Sequence, residues 1–94
     1  MAALTFTVAA NATTAAQAVT ATTSVALLSL TRSTGSSIVI EASHNNSVFA
    51  PVINDKDLGR IGAYDGVLSI PAIPAGWYIR VKGIGTISGT VAVE

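Results

Sequence analysis

The amino-acid sequence predicts an all-β protein, namely an antiparallel β-sandwich or a jelly-roll-like fold of seven to nine short strands. Apolar and polar residues alternate with a period of two in several segments, and turn-forming residues separate these segments every ~8–12 residues. The alanine-rich stretch "TTAAQAVTA" could form a helix, but its threonines disfavour one. With 94 residues, the chain is expected to form a single domain that spans residues 1–94.

The first half of the chain contains three clear strand patterns. "LTFTV" at 4–8 places its apolar side chains on one face, which is typical of a half-buried strand. "VALLSLT" at 25–31 is apolar enough to lie in the centre of a sheet, and "IVIEA" at 38–42 is expected to direct Ile38, Ile40 and Ala42 towards the core. "AQAVTAT" is a weaker strand candidate.

The middle of the chain predicts turns, a loop and an edge strand. "SHNNS" at 43–47 predicts a turn, because asparagine closes turns with its own side chain. Pro51 in "VFAPVI" predicts an edge strand or a bulge, since proline donates no hydrogen bond to a neighbouring strand. The polar segment 54–66 predicts a loop that ends in an Asp-Gly turn, and the two prolines of "PAIPAG" predict a stiff connector.

The last twenty residues, 75–94, predict an antiparallel hairpin. "WYIRVK" and "ISGTVAV" both alternate, and "GIGT" between them supplies turn glycines. We expect Trp77 to anchor the core, with its indole N–H seeking a hydrogen-bond partner.

Composition excludes several classes of function. Charged residues make up 11% of the chain, against about 25% in typical domains. The formal net charge is zero, so we expect no nucleic-acid partner. Without cysteine and with a single histidine, the chain is not expected to hold a disulfide, a structural zinc ion or any cofactor.

The charged residues are also unevenly distributed, because Arg32 is the first ionisable side chain in the sequence. A signal peptide would need a basic start and a compact apolar block, which the first residues lack. A membrane span would need about 20 mostly apolar residues, and polar residues interrupt every such window. We therefore expect residues 1–31 to pack against another protein, or to form a threonine-rich exposed face.

No residue cluster has the spacing of a catalytic site, so we expect no enzymatic activity. Asn54, Asp55 and Asp57 supply oxygen ligands at nearly alternate positions, but a solvated loop explains them better than a calcium site. His44 is expected to be a turn residue, because no nucleophile motif accompanies it. "GIGTISG" lies between strands rather than before a helix, so it does not match a phosphate-binding loop.

Residues 38–94 resemble small β-sandwich proteins of tailed-phage virions. The resemblance lies in "SIVIEASHNNSVFAPV", a later "DG", and "IPAGWYIRVKGIGTISGTVAVE". It implies a structural role, as in capsid decoration (cement) proteins, head fibres and tail modules, most of which are symmetric oligomers. The implied partners are further copies of the chain, with a trimer favoured, and the major capsid protein or another virion protein.

The favoured hypothesis is a non-enzymatic phage capsid decoration protein. It would be made in the cytoplasm of the bacterial host, would reside on the virion, and would have no membrane or nucleic-acid partner. The segment 1–31 would mediate assembly, and deleting residues 2–12 is expected to abolish capsid association but leave a folded domain. Six apolar residues are the predicted anchors: Leu4, Phe6, Val8, Leu27, Leu28 and Leu30.

The alternative is a module of a phage fibre or tail that binds a glycan or the host surface. Trp77, Tyr78 and Arg80, together with the polar segment 54–65, would form its contact area. An ordinary solvent-facing strand explains the same residues, because long side chains also cover apolar neighbours. A hydrolase ranks third, since only five acidic residues are present.

Overall fold

The protein is an all-β sandwich of two antiparallel sheets. A computed structural model describes residues 4–56 and 62–94. The predicted fold class is confirmed, and the strand count falls within the predicted range. The described strands are β1 (Leu4–Val8), β2 (Gln17–Ala18), β3 (Thr23–Arg32), β4 (Ser37–Ser43), β5 (Ala50–Lys56), β6 (Gly62–Ile73), β7 (Tyr78–Ile84) and β8 (Ile87–Val93).

The strand order is that of an eight-stranded jelly roll. The first sheet has the order β1-β8-β3-β6 and the second has the order β2-β7-β4-β5. β1 pairs with β8, β2 with β7, β3 with β6 and β4 with β5, all antiparallel. The chain therefore behaves as one long hairpin that is rolled into two sheets, which is the jelly-roll arrangement.

The core lies between the two sheets and is built by alternating residues of both. Phe6 and Val8 of β1, and Leu28 and Leu30 of β3, are buried there. They meet Ile38 and other inward residues of the second sheet in one contiguous cluster. The period-two pattern of the sequence thus predicts correctly the inward side chains of β1 and β4, whereas the continuous apolar run of β3 does not distinguish its two faces.

Several predicted elements are confirmed. β3 lies centrally between β8 and β6, as its apolar run indicates. β5 is an edge strand, and its register shifts opposite Ile40 and Glu41, so Pro51 lies both at an edge and beside a bulge. Asn46 closes the turn at 43–47 with a φ of 59°.

The predicted C-terminal hairpin is wrong. β7 belongs to the second sheet and β8 to the first, so the two strands do not pair. β8 instead lies between β1 and β3, and β7 lies between β2 and β4. Gly85 and Thr86, the two residues between β7 and β8, form a corner that crosses from one sheet to the other, and both strands bury apolar side chains in the same core.

Two further local predictions are wrong. The segment 54–66 is not a loop at its ends, because β5 continues to Lys56 and β6 begins at Gly62. Asp65 and Gly66 do not form a turn but pair with Ser29 and Leu28 of β3. The connector at 71–76 is also shorter than predicted, because β6 runs through Pro71 to Ile73 as an edge strand.

Candidate functional site

The six predicted assembly anchors fall into two groups. Phe6, Val8, Leu28 and Leu30 are buried in the domain's own core, and Leu4 packs against it. These five side chains hold the two sheets together, so their assignment as contacts for a partner is corrected. Leu27 alone points outward from the first sheet, where it is 39% exposed.

Part of the segment 1–31 also makes hydrogen bonds within the domain. Residues 11–19 lie along the free edge of β7, where Thr14 N donates to Val81 O at 2.8 Å. Val81 N in turn donates to Thr14 Oγ1 at 3.0 Å. Gln17 bridges to the first sheet, with its Nε2 donating to Thr5 O at 2.7 Å. These contacts cover two sheet edges that would otherwise expose unpaired backbone groups.

The outer face of the first sheet carries few charged residues. Backbone pairing aligns most of its outward residues in three rows across the sheet, and a further row at one end holds Glu94, Val25 and Ser69. We call this surface the neutral face: Thr5, Ala92, Leu27 and Val67 in the first row; Thr7, Thr90, Ser29 and Asp65 in the second; Ser88, Thr31 and Ala63 in the third.

The neutral face has an apolar pair and one charge. Leu27 and Val67 are directly opposed on β3 and β6, and Val67 is 70% exposed. Asp65 is the single charged residue among the three described rows. The remaining positions carry hydroxyl or methyl groups, which lose less solvation free energy than charged groups when another surface covers them and bonds the hydroxyl groups.

The outer face of the second sheet is chemically different. Arg80 and Glu41 are opposed on β7 and β4, and Arg80 Nε donates to Glu41 Oε1 at 2.7 Å. The guanidinium carbon of Arg80 also lies 4.0 Å from the centroid of the Phe49 ring. Arg80 therefore joins two strands and a turn on this face, through an ion pair and a cation–π contact.

Trp77 lies at one end of the second sheet, opposite the buried Val19, so the backbone register gives it the inward phase of Ile79 rather than the outward phase of Arg80. The prediction that Trp77 anchors the core is wrong, because the side chain is 37% exposed and precedes β7. Its ring contacts the His44 ring of the β4–β5 turn, with the centroids 5.9 Å apart and the planes inclined by 56°. Ile79 and Val81 fill the core positions of β7 instead.

The ring contacts of the second sheet form two separate pairs, His44 with Trp77 and Phe49 with Arg80. The sequence predicted Trp77, Tyr78 and Arg80 as one surface patch, but it did not associate His44, Phe49 or Glu41 with them. The outward phase of Glu41 in β4 was a readable signal. Its partner was not, because the register of β4 against β7 joins residues 39 positions apart.

Other candidate chemistry is not assembled in the described residues. No group of three or more histidine, aspartate or glutamate side chains that could hold a metal ion occurs in the described part of the chain. Asn54, Asp55 and Asp57 lie outside the residues whose side chains are described. Within residues 4–56 and 62–94, no helix has the length and apolar character needed to span a bilayer.

Comparison of the chain with protein-family models, with curated proteins and with solved structures found no match. The fold is therefore defined by the strand order and register alone. The resemblance to virion proteins stays a prediction.

Proposed function

We propose that the protein is a non-enzymatic structural protein that associates with other proteins through the neutral face. The observation that carries the proposal is the composition of that face, in which one of the eleven aligned residues is charged and the adjoining row adds Glu94 as a second charge. Soluble surfaces commonly contain about 25–35% charged residues. A surface with so few charges can be covered at a low desolvation cost.

The apolar pair on the neutral face supports a specific contact. Leu27 and Val67 project side by side from a rigid sheet, whereas exposed apolar residues on most monomers are scattered singly. Threonine and serine hydroxyl groups around the pair can donate and accept hydrogen bonds at the rim of an interface. This combination fits a protein partner with a similarly neutral surface.

In its specific form, the proposal is a phage capsid decoration protein. The resemblance of residues 38–94 to virion β-sandwich proteins supports this form, and the partner would be the major capsid protein. Self-association into a trimer would present the neutral face several times to a symmetric site. Several weak contacts made together would then give strong attachment.

The test introduces a charge at the centre of the neutral face. Thr90 is exposed on β8 between Thr7 and Ser29, so Thr90→Lys should not disturb the core. We expect this variant to remain folded but to lose at least about tenfold in affinity for undecorated capsids, measured by co-sedimentation, because a buried unpaired charge costs more than 1.4 kcal/mol.

The matched control is Thr34→Lys, which adds the same charge in the exposed turn between β3 and β4. This variant should co-sediment like the unmodified protein. Light scattering coupled to size exclusion would report the oligomeric state of all three proteins. Equal capsid binding by Thr90→Lys and Thr34→Lys, or no binding by the unmodified protein, would contradict the proposal.

A further inference from the structure

The two described sheets have four edge strands, and three of these carry features that hinder pairing with a further strand. β1 and β6 are the edges of the first sheet, and β2 and β5 are the edges of the second. On β1, Thr5 O accepts a hydrogen bond from Gln17 Nε2 at 2.7 Å. β2 is only two residues long, and β5 contains Pro51 and a register shift. Short strands, proline and bulges are common means by which proteins block sheet edges.

The fourth edge, β6, carries such a feature at its C-terminal end only. β6 is the longest described strand, and among the described strands it pairs with β3 alone. Pro71 lies beside the register shift between β3 and β6, but residues 62–69 pair with β3 without interruption. The segment 62–69 contains no proline, lysine or arginine. Its second side therefore presents backbone N–H and C=O groups to which a further strand can bond.

The most exposed large apolar side chain among the described residues lies in the middle of β6. Val67 is 70% exposed, and it is directly opposed to the outward Leu27 of β3. A strand added at β6 would lie beside Val67, and an apolar residue opposite Val67 would stabilise the pairing. The open edge and the apolar pair therefore indicate the same place for a partner strand.

We infer that β6 pairs antiparallel with β6 of a second copy of the chain, about a two-fold axis at Val67. A partner strand needs an apolar residue opposite Val67 and a residue other than an acid opposite Asp65. β6 itself meets both needs, because an axis at Val67 opposes the two Val67 residues and places Ser69 of the second copy opposite Asp65. Ser69 is exposed, so its hydroxyl group can donate a hydrogen bond to the carboxylate.

The charge of β6 selects this register over its neighbours. Asp65 is the single charged residue of the segment 62–69. With the axis at Val67, the two Asp65 residues are offset by about 13 Å along the strands. An axis at Asp65 would oppose the two carboxylates directly, which destabilises strand pairing. An axis at Gly66 would oppose each carboxylate to the apolar side chain of Val67.

The pairing would join the first sheets of two copies into one continuous sheet. Directly opposed residues of an antiparallel pair lie on the same face, so the outward residues of both copies point to the same side. The Leu27 and Val67 pairs of the two copies would then form one apolar row across the contact. The two neutral faces would become a single, larger surface.

This inference does not rest on attachment to a capsid. The contact uses the edge of the first sheet and leaves the neutral face open to another partner. A trimer would need a contact elsewhere on the surface, and the two contacts together would give a hexamer. Self-association is measured on the free protein, so failure of one proposal leaves the other intact.

Single cysteines can map the two-fold axis, because the chain contains no cysteine of its own. Directly opposed residues have Cα atoms about 4.5–5.5 Å apart, which is within the range of a disulfide. We expect Val67→Cys to form a disulfide-linked dimer on non-reducing gels after incubation with oxidised glutathione. Ala63→Cys is the matched control on the same strand, since the two copies of exposed residue 63 would be about 26 Å apart. Equal crosslinking of the two variants, or none of Val67→Cys, would overturn the inference.

Analytical ultracentrifugation over a range of protein concentrations would give the number of copies. We expect the unmodified protein to form a dimer, or a hexamer if a trimer contact is also present. Val67→Lys should raise the dissociation constant of the β6 contact at least about tenfold, because it removes the apolar pair and opposes two positive charges. Thr34→Lys is the control, since it adds the same charge in the exposed turn between β3 and β4 and should associate like the unmodified protein.

Two results of the ultracentrifugation would overturn the inference. One is an unmodified protein that remains a monomer or stops at a trimer over the whole concentration range. The other is a folded Val67→Lys that associates as strongly as Thr34→Lys. If Val67→Lys does not fold, the comparison of Val67→Cys with Ala63→Cys decides.

Discussion

At the residue scale, Gly89 shows how closely the first sheet constrains its central strand. Its φ is +131°, and a Cβ atom there would meet Ser29 O and the Leu30 Cα of the neighbouring strand. Gly89 pairs with Val8 on one side and Leu30 on the other. Any side chain at this position must therefore push two paired strands apart.

We expect Gly89→Ala to lower the free energy of unfolding by about 3 kcal/mol or more, because backbone strain and overpacking add. Urea denaturation followed by circular dichroism would measure the loss. Gly35→Ala is the matched control, since Gly35 has a φ of +81° but nothing within 4 Å of an added Cβ. It should cost about 1 kcal/mol, and equal losses for both variants would contradict this account of packing.

The ion pair on the second sheet is a second prediction at this scale. Glu41 is the more buried partner, with a side chain 16% exposed. In a double-mutant cycle of Glu41→Gln and Arg80→Gln, we expect a coupling of about 1 kcal/mol, above the value of most exposed pairs. Chemical denaturation of the four proteins would measure it, and a coupling near zero would mean that solvent screens the pair fully.

At the scale of the element, strand identity follows from local pattern but strand partnership does not. β4 and β5 are the one pair of consecutive described strands that lie side by side in a sheet. All other consecutive described strands lie in different sheets. Pro51 and Pro71 both occur on edge strands, β5 and β6, as expected for residues without a backbone donor.

Peptides can test which strands pair with each other. A peptide of residues 75–94 should remain unfolded in water, because β7 and β8 do not pair in the protein. A peptide of residues 37–56 contains the true hairpin of β4 and β5 and should show a larger population of cross-strand contacts by NMR. Strong contacts between Tyr78–Ile84 and Ile87–Val93 in the first peptide would contradict the assignment of a corner.

At the scale of the whole molecule, the first strand and the last strand complete the same sheet. β1 lies on the edge of the first sheet against β8, and it contributes Phe6 and Val8 to the core. The N-terminal segment is therefore part of the fold itself. The expectation that residues 2–12 can be removed without loss of the folded domain disagrees with this arrangement.

We expect deletion of residues 2–12 to abolish the cooperative thermal transition. Loss of a buried phenylalanine alone costs about 3–5 kcal/mol, whereas a domain of this size is stable by on the order of 10 kcal/mol. Deleting β1 also exposes one edge of the central strand β8. Differential scanning calorimetry would measure the transition, and a sharp transition near that of the full chain would show that β1 is dispensable.

The sequence by itself determined the fold class, most strands and the inward side of several of them, because side-chain alternation is a local property of an extended backbone. It also indicated the edge position of Pro51 and the turn at 43–47. Only the tertiary structure decided that β7 and β8 lie in different sheets, that Leu28 and Leu30 are buried whereas Leu27 is exposed, and that Trp77 is exposed. These outcomes depend on pairing between distant strands, where the burial of the whole core selects the register and no short stretch of sequence contains that information.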